Sequence, residues 1–258
     1  MTLDSPLRYM DRPDGARLAY RLRPGPPGAP LILWLGGFMS DMNGTKATAL
    51  DEAAAEAGWG FLRFDYFAHG ESSGTPAQGR IGRWHEDTLA VIDRLTEDRP
   101  LILVGSSMGG WMALLALKAR TARIAGLVLI APAPDFTEGH MGAPMSEEAR
   151  LTLARGGVIE LPMGYGLPSF PLTQGFLEDG HRHAVLGAPI PCAVPVRILQ
   201  GMQDADVPWR HALATAEALH APDLTLTLIK QGDHRFSTPA DLARLIAAVR
   251  ELVTRGKG

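Results

Sequence analysis

Short apolar runs alternate with longer amphipathic stretches along most of the chain. The apolar runs predict strands at 31–35, 60–65, 101–104, 126–130, 195–199 and 224–229, of which the run before Gly105 is typical of a buried parallel strand. The amphipathic stretches predict helices near 45–57, 82–97, 108–120, 209–220 and 239–253. This alternation predicts an α/β fold, in which a mostly parallel sheet is covered by helices on both faces.

The two ends of the chain carry clear local signals. Near the start, two strand-like runs flank Asp14 and Gly15, a pair that favours a hairpin turn. In the last predicted helix, Thr238 can cap the N-terminus and Pro239 suits the first turn. One apolar face of that helix carries Leu242, Leu245, Ile246, Val249, Leu252 and Val253.

Residues 136–193 interrupt the alternation. They are rich in glycine and proline, contain no convincing strand, and include one helix-like stretch at 145–155. So long an insertion in a compact domain is often a lid, so we expect 1–135 and 194–258 to form the core and 136–193 a helical lid. An exposed excursion with no catalytic role is the alternative. The apolar residues expected to line an acyl pocket, or to pack the lid onto the sheet, include Met145, Tyr165, Phe170 and Phe176.

Composition narrows the class of protein. The net charge of −3 implies no basic surface, so nucleic acid is not an expected partner. Cys192 is the single cysteine and lies between prolines, which excludes an internal disulfide and favours a structural role. No secretory signal pattern and no apolar run of about 20 residues is visible, so we expect no membrane span and a cytoplasmic location. The oligomeric state stays open.

Two stretches match Gly-X-Ser-X-Gly, the pattern of a nucleophilic serine on a tight turn between a strand and a helix. In 104–110, VGSSMGG, Ser107 follows a predicted strand and precedes a long apolar helix. In 69–74, HGESSG, Ser72 also follows a strand-like run, but Pro76 comes soon after and no helix can begin at the serine. We therefore predict Ser107 as the nucleophile and Ser72 as a loop residue.

A serine nucleophile needs a base, and His234 has the best position among the eight histidines. It lies in QGDHRFS, between the last predicted strand and the last predicted helix. Ligands of parallel sheets bind beyond the carboxyl ends of the strands, where Ser107 also lies. His69, in the turn after the strand at 60–65, is expected to shape that loop instead.

The base needs an orienting acid, which follows the serine and precedes the histidine in the α/β-hydrolase order. Asp204 comes after the strand at 195–199 and is the preferred candidate. Asp135 and Asp206 are rivals, whereas Asp233 adjoins His234 and is expected to point away from it. The oxyanion of acyl transfer needs two N–H donors. We assign these to Met108 and to Phe38, in the loop where Gly36 and Gly37 allow a close approach.

Taken together, these segments resemble the α/β-hydrolase superfamily over almost the whole chain. The resemblance is carried by LGGFMSD, FDYFAHGESSG, VGSSMGGWMAL, GMQDADVP and GDHRFS. Many members have a histidine where this chain has Gly36. More narrowly, GFMSDMNGTKA, APAPDFTE and GDHRFS resemble the palmitoyl-protein thioesterase and acyl-glucuronide esterase group, known from mitochondria. That resemblance implies cleavage of acyl thioesters or esters.

The expected function is therefore a serine hydrolase of carboxylic esters or thioesters that acts through Ser107, His234 and Asp204. Its substrate would be a small molecule or an acylated protein. The chemistry requires no metal or organic cofactor, and no His/Cys cluster with metal-ligand spacing is visible. Two alternatives stay open: hydrolysis of carbon–carbon bonds or perhydrolysis with the same triad, and a non-catalytic binding module.

Overall fold

An eight-stranded sheet forms the centre of the molecule. The structure is a computed structural model, and it describes residues 5–139, 145–164 and 166–255. In chain order the strands of this sheet are β1 (Arg8–Asp11), β2 (Arg17–Arg23), β3 (Leu31–Leu35), β4 (Gly60–Phe64), β5 (Leu101–Ser106), β6 (Ile124–Ile130), β10 (Val196–Gly201) and β12 (Leu224–Ile229). Their spatial order is β1-β2-β4-β3-β5-β6-β10-β12. The strands predicted from the apolar runs are confirmed.

The sheet is parallel from β4 to β12, and the antiparallel β1–β2 hairpin extends one edge. In β3 all five side chains are buried, with Leu31 and Leu33 in one apolar cluster and Ile32 and Trp34 in the other. A strand that is buried on both faces has no polar side to alternate with, which explains the continuous apolar runs of the sequence.

Helices cover both faces of the sheet. The helices that pack on it are α1 (Thr45–Ala57), α2 (Ile81–Leu95), α3 (Met108–Ala119), α7 (Trp209–Ala218) and α8 (Pro239–Arg255). α1 and α8 share one apolar cluster, and α2, α3 and α7 share the other. Thr238 caps α8 as predicted, because its hydroxyl accepts the Asp241 N–H at 3.2 Å. No helix in the described ranges is both long and apolar enough to cross a bilayer.

Residues 136–193 are more mixed than the predicted helical lid. Their described elements are α4 (Phe136–Gly139), α5 (Glu147–Ala154), β7 (Val158–Leu161), β8 (Phe170–Thr173), α6 (Gln174–Arg182) and β9 (Ile190–Pro191). β7 and β8 form an antiparallel two-stranded sheet, and β9 pairs with β11 (Leu219–His220). The expectation that this segment holds no strand is therefore wrong. Each of these strands is at most four residues long and β8 contains Pro171, so the local pattern is weak.

Candidate active site

Ser107 lies on a strained turn between β5 and α3. Its backbone has φ 54° and ψ −118°, a conformation that residues other than glycine rarely adopt. The turn is held by backbone bonds, since the Ser107 N–H donates to the Ile130 carbonyl at 2.9 Å and its own carbonyl accepts the Ala133 N–H at 3.1 Å. A side chain at Gly109 would overlap the Leu35 carbonyl oxygen. The glycine is therefore required for the turn to pack against β3.

Asp204 and His234 form a hydrogen-bonded pair at the same edge of the sheet. Asp204 follows β10, and its side chain is fully buried. Its Oδ2 accepts from His234 Nδ1 at 2.9 Å and from Gln200 Nε2 at 3.0 Å, while Oδ1 accepts the Val207 N–H at 2.7 Å. His234 lies between β12 and α8, and its side chain is 18% exposed. Asp204 Oδ1 also accepts the Asp206 N–H at 2.9 Å. Three groups besides the histidine therefore orient the buried carboxylate: Gln200 Nε2 and the N–H groups of Asp206 and Val207.

The hydrogen bond to Asp204 also determines the state of the imidazole. A carboxylate only accepts, so the proton of neutral His234 lies on Nδ1 and Nε2 keeps its lone pair. Within the described residues no hydrogen bond joins Ser107 Oγ to His234, although both side chains line the same two cavities. Catalytic hydrogen bonds of this kind are often long before substrate binds.

The rival acids have other partners. Asp135 accepts the N–H groups of Val185 and Leu186 at 2.8 Å, and burial raises the pKa of its carboxyl group. Asp233 accepts the Phe236 N–H at 3.0 Å. Asp135 therefore anchors the later part of the 136–193 segment, and Asp233 stabilises a local turn.

Asp206 is exposed and lies close to the pair. Asp204, Asp206 and His234 each bring one atom that could bind a metal to within 4.8 Å of the others. Both oxygens of Asp204 already accept hydrogen bonds from protein N–H groups. The donor set is therefore already used to orient the imidazole, and we do not interpret it as a metal centre.

The hydroxyl group of Ser72 already forms two hydrogen bonds within the protein. Its Oγ accepts the Ala19 N–H at 2.8 Å and donates to the Asp65 carbonyl at 2.6 Å. The next residue, Ser73, binds the backbone of Arg17 through both its N–H and its Oγ. The second Gly-X-Ser-X-Gly stretch therefore fastens a loop to β2, as predicted for a loop residue.

The loop after β3 packs directly on the Ser107 turn. A Cβ placed on Gly37 would lie 3.5 Å from the Ser107 Cβ. Among the described residues, the N–H groups of Phe38 and Met108 donate no hydrogen bond. Both N–H groups predicted as oxyanion donors are thus without a hydrogen-bond acceptor among the described residues.

His69 forms a hydrogen bond with the loop after β3. Its Nε2 accepts the Met39 N–H at 3.1 Å, while Nδ1 lies 3.1 Å from the Phe67 carbonyl oxygen. The ring packs edge-on against Tyr66 and Trp84. Burial lowers the pKa of His69 to about 4, so the imidazole is neutral near pH 7 and Nε2 remains an acceptor. The sequence placed His69 in its turn but did not reveal its contact with the loop after β3.

Two cavities meet at Ser107 and share Phe38, Leu167 and His234. One, of about 370 Å³, is mainly apolar, and its lining includes Ala133, Phe136, Leu161, Pro162, Met163 and Val207. The other, of about 330 Å³, has more polar and charged residues in its lining, among them Ser40, Asp41, Thr45, Lys46, Arg235 and Ser237, and we call it the polar cavity. A carbonyl group at Ser107 would therefore have an apolar side and a polar side.

The aromatic residues expected to line an acyl pocket lie behind Phe38 instead. Phe170 and Phe176 are buried, with ring centroids 4.7 and 6.0 Å from that of Phe38, and neither is among the described residues that line the two cavities at Ser107. Met145 packs against the same apolar cluster and is not in either lining. Tyr165 lies outside the described residues. The interpretation as packing residues fits Phe170 and Phe176, because their rings fill the space between the 136–193 segment and the sheet.

Sequence reasoning named Met163 and Leu167 among the residues that could line an acyl pocket, but it missed others that line the cavities. Leu161 belongs to β7, a strand that was not predicted. Lys46 carried a usable signal, because it is the second residue of α1 and a cation is unfavourable at a helix N-terminus. Such a placement suggests a function other than helix stability.

Comparison with known proteins finds relatives over almost the whole chain. The family model described as Hydrolase_4, serine aminopeptidase S33, matches residues 31–156. Palmitoyl-protein thioesterase ABHD10, mitochondrial, from Mus musculus is 37% identical over 253 residues, which cover 96% of this chain and 83% of that protein.

Solved structures agree with this similarity. A crystal structure from Agrobacterium vitis S4 has a TM-score of 0.90 at 41% identity and covers 96% of this chain and 99% of the other. Alpha/beta hydrolase domain-containing protein 10 from mouse has a TM-score of 0.87 at 35% identity, with 97% and 99% covered. The fold is therefore shared, with clear sequence similarity, along almost the full length of both solved chains.

Proposed function

The chain belongs to the α/β-hydrolase superfamily of serine hydrolases, and on that premise we propose that it cleaves acyl thioesters and esters through Ser107, His234 and Asp204. One observation carries the assignment of residues. The buried Asp204 holds His234 Nδ1 at 2.9 Å, at the mouth of the cavities that the strained Ser107 also lines. A base that keeps its lone pair on Nε2 beside a serine on such a turn suits nucleophilic acyl transfer.

In the acylation step, Ser107 Oγ attacks the carbonyl carbon and its proton passes to Nε2 of His234. The new oxyanion accepts hydrogen bonds from the N–H groups of Phe38 and Met108. When this intermediate collapses, the carbon–sulfur or carbon–oxygen bond breaks, and His234 gives its proton to the departing sulfur or oxygen. The products are the free thiol or alcohol and an acyl ester on Ser107.

Deacylation repeats the sequence with water. His234 takes one proton from a water molecule as its oxygen attacks the acyl carbon, and the second tetrahedral intermediate is stabilised in the same way. Its collapse breaks the bond to Ser107 Oγ, which recovers a proton from His234. The carboxylic acid leaves, and the enzyme returns to its starting state.

We place the acyl chain in the apolar cavity and propose that residues 136–193 act as its cap. Leu161 and Met163, from and after β7, contribute to the lining there. The name of the mouse relative, a palmitoyl-protein thioesterase, supports S-acyl groups as the substrate class. Acyl-glucuronide esters, which the sequence resemblance implies, would be cleaved by the same steps. That relative's name also carries the word mitochondrial, whereas the cytoplasmic location of this chain stays a prediction.

A hydrolysis panel tests the proposal. We expect turnover of p-nitrophenyl esters and of S-acyl-cysteine thioesters across acyl chain lengths, and loss of both in Ser107→Ala. Hydrolysis that persists in Ser107→Ala would contradict the assignment of the nucleophile. If the wild type hydrolyses no member of the panel but cleaves an activated carbon–carbon bond or forms a peracid, the alternative of carbon–carbon bond hydrolysis or perhydrolysis would be favoured.

A further inference from the structure

The two cavities at Ser107 must receive the two halves of the substrate. The acyl carbonyl lies at the serine, so the acyl chain extends to one side and the alcohol or thiol that leaves extends to the other. The apolar cavity suits the acyl chain, which leaves the polar cavity for the leaving group. The chemistry of that polar lining therefore bears on which leaving groups the enzyme accepts.

Cationic residues outnumber acidic residues in the lining of the polar cavity. The cationic residues are Lys46 and Arg235. Trp34 also lines it, is only 4% exposed, and its indole N–H has no acceptor among the described residues. Among the described residues of the lining the only acidic one is Asp41, whose Oδ1 already accepts the Asn43 N–H at 2.7 Å. A buried donor without a partner usually indicates a missing acceptor.

Lys46 is placed at a cost to helix α1. It is the second residue of that helix, where the unsatisfied N–H groups and the macrodipole disfavour a cation. Its Nζ donates to the backbone carbonyl of Arg235, 189 residues further along the chain. Within the described ranges the ammonium forms no ion pair with a carboxylate. The position is therefore poorly explained by the stability of the fold.

Two opposing influences act on the charge of Lys46. Burial and, secondarily, the guanidinium of Arg235 lower the pKa of Lys46 to about 8, while Asp233, Asp204 and Asp241 act in the opposite direction. The group is still mostly protonated near pH 7. A cation that is partly desolvated beside a second cation gains the most when an anion joins it.

We infer that the polar cavity is a leaving-group subsite that selects alcohols and thiols bearing a carboxylate, and that Lys46 pairs with this carboxylate. The inference rests on the proposed hydrolase function. The carboxylate could belong to a small thiol acid or to an acidic residue beside an S-acyl cysteine in a peptide, since the chemistry of recognition is the same. Lys46 acts here as a specificity-determining residue and takes no part in bond making.

A matched pair of substrates tests the inference. S-octanoyl 3-mercaptopropionate and S-octanoyl 3-mercaptopropanamide have the same acyl group and nearly the same shape, and differ in the charge of the leaving thiol. We expect kcat/KM of the wild type to favour the carboxylate by roughly tenfold to a hundredfold, as a charged hydrogen bond would give. In Lys46→Gln this ratio should fall towards one, and in Lys46→Arg most of it should remain.

The ratio separates recognition from a general loss of structure. A variant that only disturbs the site would slow both substrates equally and keep their ratio. Lys118→Gln, which removes an exposed lysine at the end of α3, serves as the matched control and should keep both rates. In the wild type, the preference should be full near pH 7 and fade as pH rises through about 8, because the Lys46 ammonium then loses its proton.

A peptide arm distinguishes the two sources of the carboxylate. S-octanoyl-cysteine peptides with Asp or Asn next to the cysteine replace the small thiols. A Lys46-dependent preference in either arm supports the subsite and names its source. Equal rates for both members of each pair, with turnover still lost in Ser107→Ala, would overturn the subsite and leave the proposed function standing. Absence of Ser107-dependent turnover in both arms would overturn both.

Discussion

The turns at Ser107 and Ser72 share one sequence pattern and do different work. At Ser107 the backbone is strained, and no hydrogen bond to the hydroxyl is found in the described part of the chain. At Ser72 the hydroxyl accepts the Ala19 N–H and donates its single proton to the Asp65 carbonyl, so that proton is not free for a base. The pattern specifies a tight turn with small neighbours, whereas the partners of the hydroxyl decide whether the serine can react.

The same contrast separates the two buried acids that follow strands of the sheet. Asp204 accepts backbone N–H groups with one oxygen and holds His234 with the other. Both carboxylate oxygens of Asp135 instead accept backbone N–H groups, from Val185 and Leu186 in the 136–193 segment. His234 and His69 differ in the same way. Nε2 of His234 accepts no hydrogen bond from the described residues, whereas Nε2 of His69 accepts the Met39 N–H.

The pair of serines should give the largest difference. Ser107→Ala should abolish labelling by a fluorophosphonate probe and lower kcat by at least about 10⁴-fold, since the nucleophile is gone. Ser72→Ala should keep labelling and turnover but lower the free energy of unfolding by about 1–3 kcal/mol, because it leaves the Ala19 N–H without its acceptor. Denaturant titration measures the second effect. Labelling that survives in Ser107→Ala but is lost in Ser72→Ala would reverse the comparison.

The second largest difference is expected between substitutions of the two buried acids, Asp204 and Asp135. Asp204→Asn should fold and yet lose about 10⁴-fold in kcat, because an amide cannot hold the imidazole in the required tautomer. Asp135→Asn should chiefly lower the melting temperature, with kcat changed only a few-fold. Steady-state kinetics with thermal melts compares them directly. If Asp135→Asn is instead the crippling change, the orienting acid lies on the preceding strand.

The contact between His69 and the loop after β3 predicts a smaller effect. His69→Phe keeps a ring between Tyr66 and Trp84 but removes the acceptor for the Met39 N–H, so the Phe38 donor loses its support. We expect kcat to fall by roughly tenfold, less than the removal of a whole oxyanion donor, with KM nearly unchanged. Tyr66→Phe is the control, because that ring also packs here without binding the loop. Equal kcat in the two variants would show that His69 is a packing residue only.

The smallest effect concerns the acyl side. Each buried methylene contributes about 0.8 kcal/mol, so two extra carbons could raise kcat/KM by up to roughly tenfold until the apolar cavity is full. Met163→Gln should reduce this gain several-fold for long chains and leave acetyl esters almost unaffected. Phe170→Leu, behind Phe38, should instead lower stability and affect all chain lengths alike. A wild type without chain-length preference would remove the acyl role of this cavity.

Most of the sheet and its helices could be predicted from local patterns. Five of the six parallel strands, β3, β4, β5, β6 and β10, are apolar runs because both of their faces are buried, and α1 was expected at the residues where it occurs. The β7–β8 hairpin could not be found in this way. Its strands are short, β8 contains Pro171, and only packing of Phe170 and Leu172 against the core makes them pair.

By itself the sequence determined most of the elements, the tight turn at Ser107, and the order in which serine, acid and histidine follow one another. These depend on side-chain periodicity and on sterics within a few residues, such as the glycines that let the turn close. Only the tertiary structure decided which aspartate reaches His234, which hydroxyl stays unbound, and that Lys46 and Arg235 share one cavity. Those outcomes depend on distances between residues far apart in the chain, and each polar group can satisfy only a limited number of partners.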